Sequence, residues 1–160
     1  MCSLNLNQLT FREAVQGDLD NIVLMLSDDK LGQKRERYTR PLLESYLNAF
    51  HSIEADPNIE LIVACERDEV VGVLQLTMTP FLTYQGGWRA SIEGVRTAST
   101  HRGRGIGTLL IKRAIQRASD RGCHMIQLTT DKQRPEARHF YEKLGFEATH
   151  DGMKLQLDFK

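Results

Sequence analysis

The residues with the clearest chemical use are Arg102-Gly103-Arg104-Gly105-Ile106-Gly107-Thr108. Three glycines within five positions let the backbone come close to a ligand and turn its N–H groups toward it. A helix expected to start at this point adds the positive end of its dipole, so the segment reads as an anion site. The surrounding charge agrees. From Arg96 to Arg121 there are seven basic residues (Arg96, Arg102, Arg104, Lys112, Arg113, Arg117, Arg121) and one acidic residue, Asp120, a local excess of 7 − 1 = +6. That excess suits a phosphate-bearing ligand, although a glycine-rich turn before a solvated basic helix face has the same composition. Two familiar phosphate loops are excluded. A Walker loop ends in Gly-Lys-Ser/Thr, whereas Gly107 is followed by Thr108 and Leu109. A dinucleotide fingerprint begun at Gly103 needs glycine where Thr108 stands, and it belongs in the first βα turn of a chain.

Other reactive side chains give less. The histidines at 51, 101, 124, 139 and 150 show no ligand spacing, so solvated or capping roles are expected and no metal is. Cys2, Cys65 and Cys123 are scattered and form no CxxC pair, which points to reduced thiols rather than a disulfide framework or zinc knuckle. Cys123 follows Gly122 at a strand start and reads as packed rather than nucleophilic.

The elements that must position the loop follow from periodicity. Asn5 to Thr10 reads as a first strand and Asp18 to Ser27 as a helix with Asp18 as N-cap. Asp28 to Arg40 is of mixed charge, and Pro41 to Phe50 resumes a helical pattern. Leu61 to Ala64 and Val70 to Leu76 form a hairpin around Arg67-Asp68-Glu69, followed by a strand from Arg89 to Arg96. A helix runs from the glycine loop through about Arg121 and is closed by Gly122; Met125 to Thr129 is the next strand. Pro135 opens a helix whose stripe carries Ala137, Phe140, Tyr141 and Leu144, with Gly145 as terminator. Phe146 to Leu157, interrupted at Asp151-Gly152, reads as a last pair of strands. The expected order is βααβββαβαββ, an α+β fold with a mixed, mostly antiparallel sheet of about six or seven strands and about four helices.

Composition bounds the rest. The chain has 160 residues, which fits one domain over 1–160, with no repeats or linkers. Lys+Arg and Asp+Glu both number 21, and a protein that binds nucleic acid through bulk charge should be more basic. Apolar runs such as Ile22 to Leu26 are too short to span a bilayer, and the first residues hold neither a basic leader nor a signal core. A cytoplasmic protein with neither nucleic-acid nor membrane partners is the expectation.

Arg102-x-x-Gly105-x-Gly107 resembles the Arg/Gln-x-x-Gly-x-Gly/Ala signature of the GCN5-related N-acetyltransferases (the GNAT family). It follows Ser91-Ile92-Glu93-Gly94-Val95-Arg96, which looks like the family's central strand, and Ala137-x-x-Phe140-Tyr141-x-x-Leu144-Gly145-Phe146 is similar to its second signature. The resemblance is specific from about Val70 to Phe146. It implies the GNAT fold and transfer of the acetyl group of acetyl-CoA to a primary amine in a ternary complex. Backbone N–H groups of Arg102, Gly103, Arg104, Gly105, Ile106, Gly107 and Thr108 would hold the CoA pyrophosphate. Val95, Arg96 and Thr97 would pair with the pantetheine arm. A bulge at Glu93-Gly94 would open the acetyl cleft, and the Val95 N–H would stabilise the developing oxyanion.

By the same resemblance Tyr141 is the general acid that protonates the leaving thiolate, and Glu93 is the base, directly or through water. Spacing alone equally makes Tyr141 a core aromatic and Glu93 an ordinary exposed strand residue. Arg134 stands where the family often has asparagine. It cannot accept a hydrogen bond, so it would reach a phosphate instead. Lys132-Gln133-Arg134 and His139 resemble the aminoalkylphosphonate acetyltransferase branch, which implies a small amine acceptor, including anionic ones. Asp28 to Arg40 would form part of the acceptor wall. A protein N-terminus or lysine is the second acceptor class, and a non-catalytic acyl-CoA-binding regulator the rival function. Homodimers are common in the family.

Overall fold

The computed structural model describes residues 9–157. Its sheet has five strands in spatial order β1-β2-β3-β4-β5, namely Leu9–Glu13, Ile59–Glu66, Glu69–Pro80, Trp88–Thr97 and Cys123–Leu128. The first four are antiparallel, and β5 joins β4 in parallel. The helices are α1 (Leu19–Ser27), α2 (Gly32–Arg35), α3 (Glu44–Ala55), α4 (Thr83–Gly86), α5 (Ile106–Asp120) and α6 (Pro135–Lys143). This is the expected α+β class. The four long helices were legible in the sequence, whereas the single turns α2 and α4 were not. In α4, Tyr84 and Gln85 have φ of 54° and 60°, so it is a left-handed turn with no helical period to detect.

Burial follows the patterning. The runs Leu61–Cys65 and Val70–Leu74 are apolar because β2 and β3 are central and covered on both faces. On one face α5 sets Ile106, Leu110, Ile111, Ala114 and Ala118 against Leu74, Leu76, Met78, Ala90 and Ile92. On the other, Ile22 and Met25 of α1 pack with Val63, Cys65, Val70 and Val73. The parallel β4–α5–β5 unit thus places the residues that precede α5 at the C-terminal end of β4, beside the gap between two strands.

Several expectations are corrected. Residues 146–157 enter no strand, so the last strand pair is absent from the sheet among the described residues. Met153, Leu155 and Leu157 do alternate with polar residues, but they lie in solvent (95%, 85% and 79% exposed). Alternation marks a chain that can pair, and a ladder needs an edge as well. Of the first strand's predicted range, residues 5–8 lie outside the described residues; β1 runs from Leu9 to Glu13. Helix α3 starts at Glu44 rather than Pro41 because Leu43 is still extended (φ −60°, ψ 138°). Asp18 stands at the start of α1 but does not cap it. Its carboxylate accepts from the Val15 N–H (2.8 Å) and both Nη groups of Arg12 (2.6 and 2.9 Å). Those bonds hold its pKa below the ordinary carboxylate value against the opposing effect of burial. Among the described residues no helix is long and apolar enough to cross a membrane.

Leu110 has no solvent exposure, whereas Leu82 is 98% exposed. Leu110→Ala is expected to cost about 2–5 kcal/mol of unfolding free energy in urea titration. Leu82→Ala should change it by less than about 0.5 kcal/mol. Equal effects would contradict the α5-on-sheet core.

Candidate functional site

The site begins with a defect in the β3–β4 ladder. Val73 pairs with Arg96 and Gln75 with Glu93, so Gly94 and Val95 together face Leu74 as a β-bulge. Gly94 has φ +62°, a conformation that carries little penalty for glycine. The sequence places the bulge at Glu93-Gly94, one residue early. Beyond it β4 stays paired to β3 through Arg96 and Thr97 but has no partner on its other edge, because β4–β5 pairing ends at Ile92 opposite Leu128 although β4 continues to Thr97. Beside this unpaired edge of β4 opens a cleft of about 400 Å³.

Val95, Arg96 and Thr97 form one wall of the cleft, Phe140 and Tyr141 of α6 the other. His101, Arg102, Gly103, Gly105, Ile106, Gly107 and Thr108 close its end. Gly103 and Gly105 have φ of +75° and +82°, and a Cβ on either would meet open space. Gly105 is the N-cap of α5. The N–H groups of the first helical turn have no acceptor within the helix, so this end of α5 offers several donors and a positive dipole to one ligand. Gly107 has a different use: a Cβ there would lie 3.4 Å from the Phe140 ring, so the missing side chain lets α6 approach α5. A phosphate-bearing group fits this donor set.

Tyr141 is half-buried, with ring centroids 5.1 Å from Phe140 and 5.9 Å from Phe146. It packs against the core and also faces the cleft, so its two readings from spacing are compatible. Burial pushes its phenol above the ordinary value of 10.0, opposed by the nearby Arg96 and Arg134 and assisted by Glu93. The hydroxyl is therefore protonated at neutral pH and able to donate. Glu93 is exposed at the bulge, close enough to Tyr141 to act on its ionisation.

The arginines divide sharply. Arg102 turns away from the loop and donates to the Asp28 carbonyl (3.1 Å) and carboxylate (3.2 Å), tying the loop to the end of α1. Arg134 precedes α6 and lies 2.5 Å from the Asp29 carboxylate, which also accepts from the Gly32 N–H. Two successive carboxylates thus hold both sides of the cleft. Arg104 is exposed, while Arg96 is half-buried. Arg117 and Arg121, counted in the basic excess, belong elsewhere. Arg117 grips the buried Glu60 through two bonds of 2.9 and 2.6 Å, and Arg121 donates to the Pro57 carbonyl and the Asn58 side chain. The local +6 therefore overstates the field at the cleft.

Sequence reasoning missed the contacts of three residues around the cleft, His101, Asp28 and Asp29. His101, for which the sequence suggests a solvated or capping role, is 9% exposed and held by Thr100 (2.7 Å) and Glu66 (3.1 Å). Only its position just before the glycine loop hinted at this. Asp28 and Asp29 read as part of a mixed-charge loop because their partners are about 74 and 105 residues distant in sequence. Among the described residues no group of three or more His, Cys, Asp or Glu side chains is placed to hold a metal ion.

Comparison with known proteins fits this architecture. A family model described as "Acetyltransferase (GNAT) family" matches residues 23–146. A crystal structure described as a transcriptional regulator from Bacillus halodurans C-125 is 62% identical, with TM-score 0.91, covering 93% of this chain and 99% of that one. An aminoalkylphosphonate N-acetyltransferase of Salmonella typhimurium is 28% identical over 107 residues, 67% of this chain and 69% of the relative. A glucosamine 6-phosphate N-acetyltransferase of Trypanosoma brucei brucei is 35% identical over 89 residues, 55% and 58% of the two chains.

The raised phenol has a signed consequence. The stability linked to Tyr141 is fully present below its unfolded value of 10.0 and is lost as pH rises through the higher folded value. In an alkaline titration of tyrosinate absorbance, Tyr141→Phe should remove a phenol that ionises above 10.0. Loss of one that ionises at or below 10.0 would show that the arginines, not burial, govern it.

Proposed function

The chain belongs to the acetyltransferase (GNAT) family as an acetyl-CoA-dependent acetyltransferase, and from that premise we propose that its acceptor is the primary amine of a small molecule, attacked directly in a ternary complex. The observation that carries this reading is the cleft where β4 and β5 part, with the glycine loop at its end and Tyr141 in its wall. Acetyl-CoA supplies an activated acyl group on a thiol leaving group. The glycine loop and the first turn of α5, with Gly103, Gly105 and Gly107, bind the pyrophosphate through backbone N–H donors, and the stretch Val95–Thr97, which has no β5 partner, offers its open edge to the pantetheine arm. The Val95 N–H, freed from the ladder by the bulge, is the donor for charge developing on the thioester oxygen.

Proton traffic falls to two side chains. As the amine nitrogen bonds to the acetyl carbon and the C–S bond breaks, Tyr141 gives its phenolic proton to the departing sulfur. Glu93, directly or through water, takes the proton from the amine; its exposed place at the bulge supports that role. Arg134, which precedes α6 where the family often has asparagine, is paired with Asp29 and would exchange that carboxylate for a donor phosphate or another anion. The small-molecule class is supported by relatives named for aminoalkylphosphonate and glucosamine 6-phosphate, both amines bearing a phosphorus oxyanion.

Initial rates measured while both substrates vary, across a panel of small amines and N-terminal peptides, test the proposal. Intersecting reciprocal plots with a small amine are expected, and Tyr141→Phe should lower kcat by about 10²–10⁴-fold. Parallel plots would require a covalent enzyme intermediate, and an unchanged kcat would remove Tyr141 as the acid. Peptides as the better acceptors would move the chain to protein acetylation. Acetyl-CoA binding without turnover would favour a regulatory acyl-CoA sensor, the reading to which the description of the Bacillus halodurans protein lends weight.

A further inference from the structure

Arg96 is a half-buried charge in the cleft with no carboxylate partner among the described residues. It follows the bulge on β4, lines the cleft and is half-buried. Its Nη1 donates to the neighbouring Val95 carbonyl (2.8 Å), while its Nε is buried without a hydrogen-bond partner. Among the described residues it makes no ion pair, unlike Arg12, Arg40, Arg102, Arg117, Arg121, Arg134 and Arg138. A guanidinium removed from water needs a compensating charge. Its charged neighbours do not provide one. Burial first, then Arg134 and Arg35, disfavour its protonated form, and Asp29 is the one carboxylate acting in its favour. Asp29 is already committed to Arg134 and to the Gly32 N–H. Arg134 is itself incompletely served: its Nη2 is 2.5 Å from Asp29 but lacks the alignment of a hydrogen bond.

The register says which side of the sheet this charge faces. Arg96 pairs with Val73 and Glu93 with Gln75, two positions apart on β3 and so on one face. Val73 packs in the α1 cluster, so Arg96 and Glu93 project on the α1 side. The first turn of α5 lies on the opposite face, where Ile106 joins the α5 core. The cleft therefore offers an oxyanion two separate places.

We propose that Arg96, with Arg134, is the subsite for an oxyanion carried by the acceptor, so that the substrate class is small primary amines bearing a phosphate, phosphonate or carboxylate. This rests on the acetyltransferase reading above. The planar fork of Arg96 binds two oxygens of such a group, and Asp29 holds Arg134 ready beside it. The anchored amine is then held on the Glu93 side of the cleft, near Tyr141.

The test uses the full chain saturated with CoA, so that the α5 end is filled, and follows thermal unfolding as 2-aminoethyl phosphate, inorganic phosphate or ethanolamine is added. Both phosphates should stabilise the CoA complex and ethanolamine should not. Arg96→Gln should weaken the apparent Kd for the phosphates at least about tenfold, as expected for loss of a hydrogen bond to a charged group. Arg96→Lys, which keeps the charge but not the fork, should retain part of the phosphate binding that Arg96→Gln loses. Failure of CoA itself to stabilise the wild type would overturn the family-based donor site rather than this subsite alone. Weaker CoA binding in Arg96→Gln with undiminished phosphate binding would make Arg96 a donor-phosphate ligand and overturn the proposal. So would a CoA complex that neither phosphate stabilises.

Discussion

The cleft exists because one strand pair is not allowed to finish. Gly94 and Val95 share the place opposite Leu74, the ladder to β3 is offset by one residue, and the parallel ladder to β5 stops at Ile92. A continuous β4–β5 pairing would fill the space now open between Val95–Thr97 and Tyr141. Leaving backbone donors and acceptors unpaired beside a core is unfavourable unless something else satisfies them. The rest of the fold makes this tolerable. The antiparallel strands β1–β4 and the packing of α5 hold the sheet together, while glycine at +62° takes up the bulge geometry. An extended ligand that offers amide groups to Val95–Thr97 would restore what β5 withdraws.

Charge is arranged around that opening in two layers. Asp28 and Asp29, on the turn after α1, engage Arg102 from the glycine loop and Arg134 from the start of α6. Gly32 makes this turn compact, since a Cβ there would lie 2.1 Å from the Leu26 carbonyl oxygen. The acidic turn thus supplies the carboxylate partners of one arginine from the glycine loop and one from the start of α6. Away from it, Arg12–Asp18 and Arg117–Glu60 are bidentate pairs that fasten helices to the sheet. Basic residues of one stretch of sequence therefore serve two unrelated ends.

Much of this was legible in the residue order. Arg102-x-x-Gly105-x-Gly107 located the loop because left-handed turns and a helix start leave a local signature, and Gly94 located the bulge to within one residue. The long helices and central strands followed from apolar periodicity. What stayed hidden depends on contacts between distant segments. Nothing in the order of residues says that Arg117 will find Glu60 while Arg96 pairs with no carboxylate among the described residues, or that Asp18 will serve Arg12 instead of capping α1. The alternation at Met153–Leu157 announces a strand, but whether a strand forms is decided by a neighbouring edge.

The central claim is that the glycine loop and the parted strands make one donor site. It is tested most directly by titrating acetyl-CoA against thermal unfolding of the wild type and of Gly105→Val, with ATP and NAD as controls. A ligand bound only by the folded state, at about 100 times its Kd, adds about 2.7 kcal/mol. The wild type should gain that stability with acetyl-CoA and little with the controls. Gly105→Val, forced to place a β-branched residue at φ +82°, should lose the response. Equal stabilisation of both chains by acetyl-CoA, or a wild type indifferent to it, would contradict the site.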